Sequence, residues 1–138
     1  MISVLIVSFE AREVLPRCLA SVADLADSGH EVWVVDNASA DGSADLVRSE
    51  FSFCRVLEME KNVGFGAANN RAARQARGDA FLLLNPDAWL TDGCAGELEE
   101  VLDRDEEVGL VAPTIVYPDG RPQFNWAPTS GVAGEAMQ

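Results

Sequence analysis

Phe81-Leu82-Leu83-Leu84-Asn85-Pro86-Asp87 is the stretch that decides the fold. Four apolar residues run into a turn that carries a carboxylate. A continuous apolar run of this length, closed by turn residues, suits a strand buried on both faces, as in a parallel sheet. Pro86 has no N–H and a fixed φ, so strand pairing should stop there. Asp87 then becomes the first acid past the carboxyl end of a central strand, the edge at which open α/β sheets bind ligands. Taken alone, Asn-Pro-Asp also reads as an ordinary turn. The flanking chain decides between the two.

Toward the N-terminus, Ala67 to Arg77 is a helix of good formers, with Gly78 in the position of a C′ residue. Asn62 to Gly66 is a Gly-rich loop before it, and Cys54 to Met59 a weaker strand. A short helix is expected over about Ala44 to Glu50, after a loop of turn and capping residues from Ala38 to Ser43. Glu31 to Val35 is a strand that finishes at Asp36-Asn37. Val14, Leu15, Cys18, Leu19, Val22 and Leu25 fall at helical spacing, which predicts one helix within Glu13 to Ala26, closed by Gly29. Pro16 is tolerated only in its first turn, so the helix should begin near Val14. Ile2 to Ser8 is apolar and β-branched, a further buried strand.

Toward the C-terminus, Thr91 or Asp92 caps a helix running to about Arg104, whose acids read as a solvated face. Val108 to Ala112 is expected as a fifth strand. Thr114 to Tyr117 and Arg121 to Trp126 flank Asp119-Gly120 as a hairpin. The domain should cover residues 1–126, with an irregular tail over residues 127–138.

Strands alternating with helices predict a mostly parallel sheet covered on both faces. Right-handed crossovers then suggest the order 3-2-1-4 for the first four strands. In that order Ser8 and Asn85-Pro86-Asp87 face one crevice, and Asp36 sits beside it.

Composition narrows the function. The 138 residues suffice for one domain with a core, and 48% hydrophobic with 24% charged residues is globular composition. The net charge of −13 and a pI near 4.2 argue against a nucleic-acid partner, which needs clustered Lys and Arg. The same charge means that a phosphate ligand needs a cation or backbone N–H groups. Cys18, Cys54 and Cys94 are too scattered for a redox or zinc motif and read as thiols of a reducing compartment. No signal peptide or membrane span is expected.

Three polar clusters remain. Asp36 either caps its own loop through Ser39 or accepts a hydrogen bond from a base or sugar. Gly64-Phe65-Gly66-Ala67-Ala68-Asn69 approaches the dinucleotide fingerprint, but the third glycine is Asn69 and Asn-Val separates it from the strand. Its amides and the following helix N-terminus could instead approach a base or phosphate. Asp87 could supply one carboxylate to Mg²⁺, which takes one or two such ligands and completes its shell with phosphates and water. His30 reads as a surface residue, and Trp33, Trp89 and Trp126 as packing residues.

Val4-Leu5-Ile6-Val7-Ser8-Phe9, Val35-Asp36-Asn37-Ala38-Ser39-Ala40-Asp41-Gly42-Ser43, Asn62 to Asn70 and Leu83-Leu84-Asn85-Pro86-Asp87 together resemble family 2 glycosyltransferases of the GT-A fold. The likeness is greatest to the rhamnosyltransferase-like branch, which Tyr117-Pro118-Asp119-Gly120 also resembles. The resemblance implies inverting transfer of a sugar from a nucleotide-diphosphate donor, UDP- or dTDP-linked, to a saccharide or lipid-linked acceptor hydroxyl. It places Ser8 and Glu10 near the nucleoside, Asp36 on the base and Asn37 beside it. Asn62, Gly64 and Asn70 would shape the nucleotide pocket. Asn85 would stand in for the first acid of Asp-x-Asp, and Asp87 would hold the divalent cation, Mg²⁺ or Mn²⁺. Asn69 replaces the arginine of many relatives.

The family's general base is expected beyond Gln138, so the fold should be C-terminally incomplete and this chain alone inactive. A truncated edge around Val108 to Trp126 would favour self-association. The resemblance implies a cytoplasmic location, peripheral to the inner face of the membrane, and a role in cell-wall or polysaccharide synthesis. The rival readings are a stand-alone nucleotide-binding or regulatory module and an NAD-type oxidoreductase.

Overall fold

The computed structural model describes residues 1–123. These fall into two compact units, Met1–Ala95 and a second beginning at Gly96. The first holds β1 (Ile2–Ser8), α1 (Leu15–Ala20), α2 (Ala23–Asp27), β2 (Glu31–Asp36), α3 (Ser43–Glu50), β3 (Cys54–Glu58), α4 (Phe65–Ala73) and β4 (Ala80–Leu84). Helix α5 (Cys94–Arg104) follows. The second unit carries a small hairpin, β5 (Ile115–Val116) and β6 (Pro122–Gln123).

The four long strands form one parallel sheet in the expected order β3-β2-β1-β4. Strand geometry sends alternate side chains to opposite faces. Ile2, Val4 and Ile6 of β1 and Val32 and Val34 of β2 therefore pack together against Leu15, Cys18, Leu19, Val22 and Val47. Leu5, Val7, Trp33 and Val35 meet Ala68 and Ala72 of α4 on the other face. Every residue of β1 and β2 is buried, as parallel strands covered on both faces require. β4, expected to be buried on both faces, is an edge strand of this sheet, and Phe81 and Leu83 on one face are exposed.

The opposite edge of the sheet is held by Glu31, which is 6% exposed. It accepts hydrogen bonds from Ser3 Oγ (2.9 Å), Trp33 Nε1 (3.4 Å), the Arg77 N–H (2.9 Å) and Arg77 Nε (2.9 Å), with Arg55 Nη1 at 3.4 Å. Burial alone would raise its pKa, but the donors outweigh it and lower the carboxyl to about 2. His30 is not a bare surface residue as expected. Its Nδ1 accepts the Ile2 N–H at 2.9 Å and anchors the start of β1.

Several expected elements differ. The helix predicted within Glu13 to Ala26 is two short ones. Ser21 N–H is shared between the Arg17 and Cys18 carbonyls, its Oγ donates to Cys18 O at 2.7 Å, and Val22 N–H goes back only to Leu19 O. These three-residue returns tighten and end α1. Helix α4 spans Phe65–Ala73, not Ala67 to Arg77. Gly78 consequently caps nothing: a Cβ there would lie 2.5 Å from Ser3 Oγ and 2.6 Å from Ser3 N, so the glycine permits close backbone approach. Val108 to Ala112 forms no strand among the described residues. The hairpin turn at Tyr117 to Gly120 forms, with Gly120 N–H donating to Tyr117 O at 2.8 Å. Its expected second arm from Phe124 to Trp126, and residues 127–138, lie outside the described residues.

Candidate functional site

Because β1 lies between β2 and β4, the carboxyl ends of three strands share one edge. Ser8 and Asp36 are direct partners in the β1–β2 register, so their side chains leave the sheet on the same face. Both residues are buried, at 0% and 3% exposure. Asp36 Oδ2 accepts the Ser39 N–H at 3.0 Å, as the loop-cap reading expected. Asp36 Oδ1 and Ser8 Oγ have no hydrogen-bond partner. Such atoms are rare and cost the full desolvation of the group. The edge therefore holds a buried acceptor and a buried hydroxyl whose hydrogen-bonding capacity is unused.

The two loops above this pair are tied together. Glu10 N–H donates to Ser39 Oγ at 3.1 Å, and Glu10 Oε1 accepts the Ala40 N–H at 2.7 Å. Glu10 and Ala38 both have positive φ, 50° and 68°, uncommon for residues with a side chain. Backbone strain of this kind collects at ligand sites. Below them, Arg12 N–H donates to Asp41 Oδ2 at 2.9 Å, and Arg12 Nη1 to Gly42 O at 2.7 Å.

Asn37 joins this edge to the Gly-rich loop. Its N–H donates to Ser8 O at 2.8 Å, its Nδ2 to Asn62 Oδ1 at 2.9 Å, and its Oδ1 accepts the Val63 N–H at 3.0 Å. Asn62 Oδ1 also accepts the Gly64 N–H at 2.9 Å. These bonds aim the loop into α4. Gly64 precedes the helix at φ 81°, ψ 163°, a region essentially confined to glycine. The first turn of α4 then presents N–H groups that lack intrahelical partners, a favourable setting for an anion. Asn70, expected in the pocket, is exposed, whereas its neighbour Asn69 is 6% exposed with Oδ1 unpartnered. The helical face set by Ala68 and Ala72 takes Asn69 with it, while Asn70 points to the exposed side.

Asn85-Pro86-Asp87-Ala88 is a tight turn closed by Ala88 N–H to Asn85 O at 3.1 Å, with proline at its second position. Pairing of β4 ends at Leu84 opposite Ile6, just before Pro86. The segment leaving this turn is fastened to α1. Cys18 Sγ donates to Asn85 O at 3.4 Å, and Leu90 N–H to Ser21 Oγ at 3.1 Å. Between these contacts the Arg17 guanidinium lies over the Trp89 ring, 3.4 Å from its centroid. Burial, and then the Asp87 charge, push the Cys18 thiol up to about 12, which leaves it an inert packing group. Asp87 and Asn85 are exposed.

No group of three or more His, Cys, Asp or Glu able to hold a metal ion exists among the described residues. A single exposed carboxylate fits only a cation whose shell is completed by water and ligand phosphates, a usual mode for Mg²⁺. Asp87 fits that role.

A family model described as glycosyl transferase family 2 matches residues 3–136. The chain belongs to that family. A putative teichuronic acid biosynthesis glycosyltransferase, TuaG of Bacillus subtilis, is 27% identical over 144 residues, covering 100% of this chain and 57% of the relative. An N-acetylglucosaminyl-diphospho-decaprenol L-rhamnosyltransferase of Mycobacterium tuberculosis is 28% identical over 131 residues, covering 87% and 43%. The chain thus spans about half the length of these relatives.

Among solved structures, S. aureus TarS 1-349 in complex with UDP-GlcNAc matches with a TM-score of 0.65 at 24% identity, over 75% of this chain and 31% of that one. A mannosyltransferase of Pyrobaculum calidifontis in complex with GDP-Man and Mn²⁺ matches at 0.68 and 23%, over 73% and 32%. These likenesses concern the fold, which is GT-A as the sequence implied. No helix among the described residues is long and apolar enough to cross a membrane.

Proposed function

We propose that this family 2 chain is the donor-binding part of an inverting glycosyltransferase acting on a UDP- or dTDP-sugar. The observation that carries the reading is the unpartnered pair Ser8 Oγ and Asp36 Oδ1, buried in register on the ligand edge of the sheet. A carboxylate oxygen there accepts from a base imide or a hydroxyl and leaves a partner without a donor unsatisfied. The Ser8 hydroxyl serves either polarity. In this reading the N–H groups of the first turn of α4 would face the negative charge of the diphosphate, and Gly64 would let the backbone make that approach.

Asp87 would hold the divalent cation, Mg²⁺ or Mn²⁺, together with the diphosphate. When bound, the cation offsets charge that builds on the departing diphosphate. The Mn²⁺ in one structural neighbour supports this assignment. The acceptor proton needs a carboxylate base. This reading assigns that base to the half of the relatives' length that the chain does not span. The lipid diphosphate in the name of one relative, and the teichuronic acid of another, support a saccharide or lipid-linked acceptor in cell-wall polysaccharide synthesis. With such an acceptor the protein would work in the cytoplasm at the inner membrane face. Exposed Leu110, Ile115, Val116 and Tyr117 support self-association through the second unit.

Calorimetry with UDP and dTDP tests the proposal. Affinity should rise with Mn²⁺ or Mg²⁺, fall on chelation, and fall in Asp87→Ala to the level of the chelated wild type. Affinity indifferent to metal in the wild type would remove Asp87 from the site.

A further inference from the structure

The chain sets ten Lys and Arg against twenty-three Asp and Glu, so a phosphate ligand has few cations to meet. Arg48 pairs with Asp45 and Glu58, and Arg55 and Arg77 with Glu31 at the far edge of the sheet. Arg104 and Arg121 pair with Glu100 and Asp119. Arg12 is turned onto the Asp41 and Gly42 carbonyls.

Arg17, Lys61, Arg71 and Arg74 are exposed and form no ion pair among the described residues. Of these four, Arg17 is the one whose side chain is held, on an aromatic ring. Its guanidinium carbon lies 3.4 Å from the centre of the Trp89 ring. Stacking of this kind engages the flat face of the guanidinium and holds the side chain in place. The in-plane N–H donors, whose geometry matches phosphate oxygens, remain available. Trp89 is two residues past Asp87, on a segment that Cys18 and Ser21 fasten to the helix that bears Arg17. The stacked cation and the Asp87 carboxylate are thus parts of one packed corner at the carboxyl end of β4.

We infer that Arg17, laid on the Trp89 ring, is the diphosphate-binding cation of this corner. The inference rests on the nucleotide-sugar reading above and adds a residue to it. The diphosphate belongs either to the donor nucleotide or to a lipid-linked acceptor. Both present the same oxygens to the guanidinium.

Calorimetry in Mn²⁺ decides, with UDP, dTDP, uridine, thymidine and farnesyl diphosphate as the probes. Arg17→Gln should weaken diphosphate binding roughly ten- to hundredfold, the scale of a lost hydrogen bond to a charged group, and leave nucleoside binding unchanged. Arg17→Lys should restore only part of it, because an ammonium on a flexible stem is not oriented by the ring. Trp89→Leu, which keeps the charge and frees the side chain, should weaken binding by less than Arg17→Gln. A loss confined to UDP and dTDP assigns the donor, and a loss confined to farnesyl diphosphate assigns the acceptor.

Arg17→Gln that melts like the wild type and binds every diphosphate equally well overturns the inference. If Asp87→Ala loses UDP and dTDP in the same experiment, the proposed function stands without it. A wild type that binds none of the diphosphates overturns both.

Discussion

The side chains of Asn37 and Asn62 meet amide to amide, Nδ2 of the first donating to Oδ1 of the second at 2.9 Å. Backbone donors fix both orientations, since Val63 N–H requires Asn37 Oδ1 and Gly64 N–H requires Asn62 Oδ1. The end of β2 thereby dictates where the Gly-rich loop enters α4. Both asparagines were expected at the nucleotide. Much of their hydrogen-bonding capacity is committed to holding the loop.

Asn37→Ala should lower stability by about 1–3 kcal/mol, because the Val63 N–H loses its acceptor where the asparagine was 2% exposed. Nucleotide affinity should fall as well. Urea unfolding beside calorimetry checks both. Unchanged affinity in a destabilised protein would separate the loop from the ligand.

Two glycines of the same loop should respond oppositely. Gly64→Ala forces a side chain into a backbone region at φ 81°, ψ 163° and should cost about 1–3 kcal/mol. Gly66 lies in the first turn of α4 without a positive φ, and a Cβ added there would meet nothing within 4 Å. Gly66→Ala should therefore stabilise by about 0.5–1 kcal/mol. Thermal melts of the two variants compare them directly.

The strand order was legible because β1, β2 and β4 are apolar runs closed by polar turns, and parallel crossovers leave few arrangements. Asp36 and Asp87 could be placed at the carboxyl edge of the sheet from that order alone. The break at Ser21 was not legible, since Val22 and Leu25 keep helical spacing across it and only the Ser21 hydrogen bonds reveal it. Gly78 carried a cap signature for a reason that lay 75 residues away, at Ser3. Val108 to Ala112 has strand composition, but composition supplies no pairing partner. The Glu31 cluster was missed because its donors come from four separate places in the chain.

Ser8→Ala should leave the melting temperature of the unliganded protein unchanged or raise it, since the hydroxyl is buried without a partner. Asp36→Ala should weaken nucleotide binding by about 1–3 kcal/mol. A fall in melting temperature with unchanged affinity in Asp36→Ala would leave only its bond to the Ser39 N–H.

Glu31 sets an acid limit on stability. Its folded pKa of about 2 lies below the ordinary 4.5, so its contribution is fully present above pH 4.5 and is lost as pH falls toward 2. The shift corresponds to about 3 kcal/mol. Glu31→Gln should be less stable than the wild type at pH 7, and the difference should shrink as the solution is acidified from pH 4.5. Urea melts at stepped pH values measure that convergence.

The parallel order has a consequence in time. β1 is made early, and its second neighbour, β4, begins at Ala80, 72 residues after Ser8. At ribosomal speeds of about 5–20 residues per second, one side of the central strand waits roughly 4–14 s for its partner. During that interval seven residues destined for full burial offer unpaired N–H and C=O groups to any passing strand. The site inherits the delay: Asp87 emerges after all of β1, β2 and β3, so among the described strands the corner that would receive the ligand is the last to close.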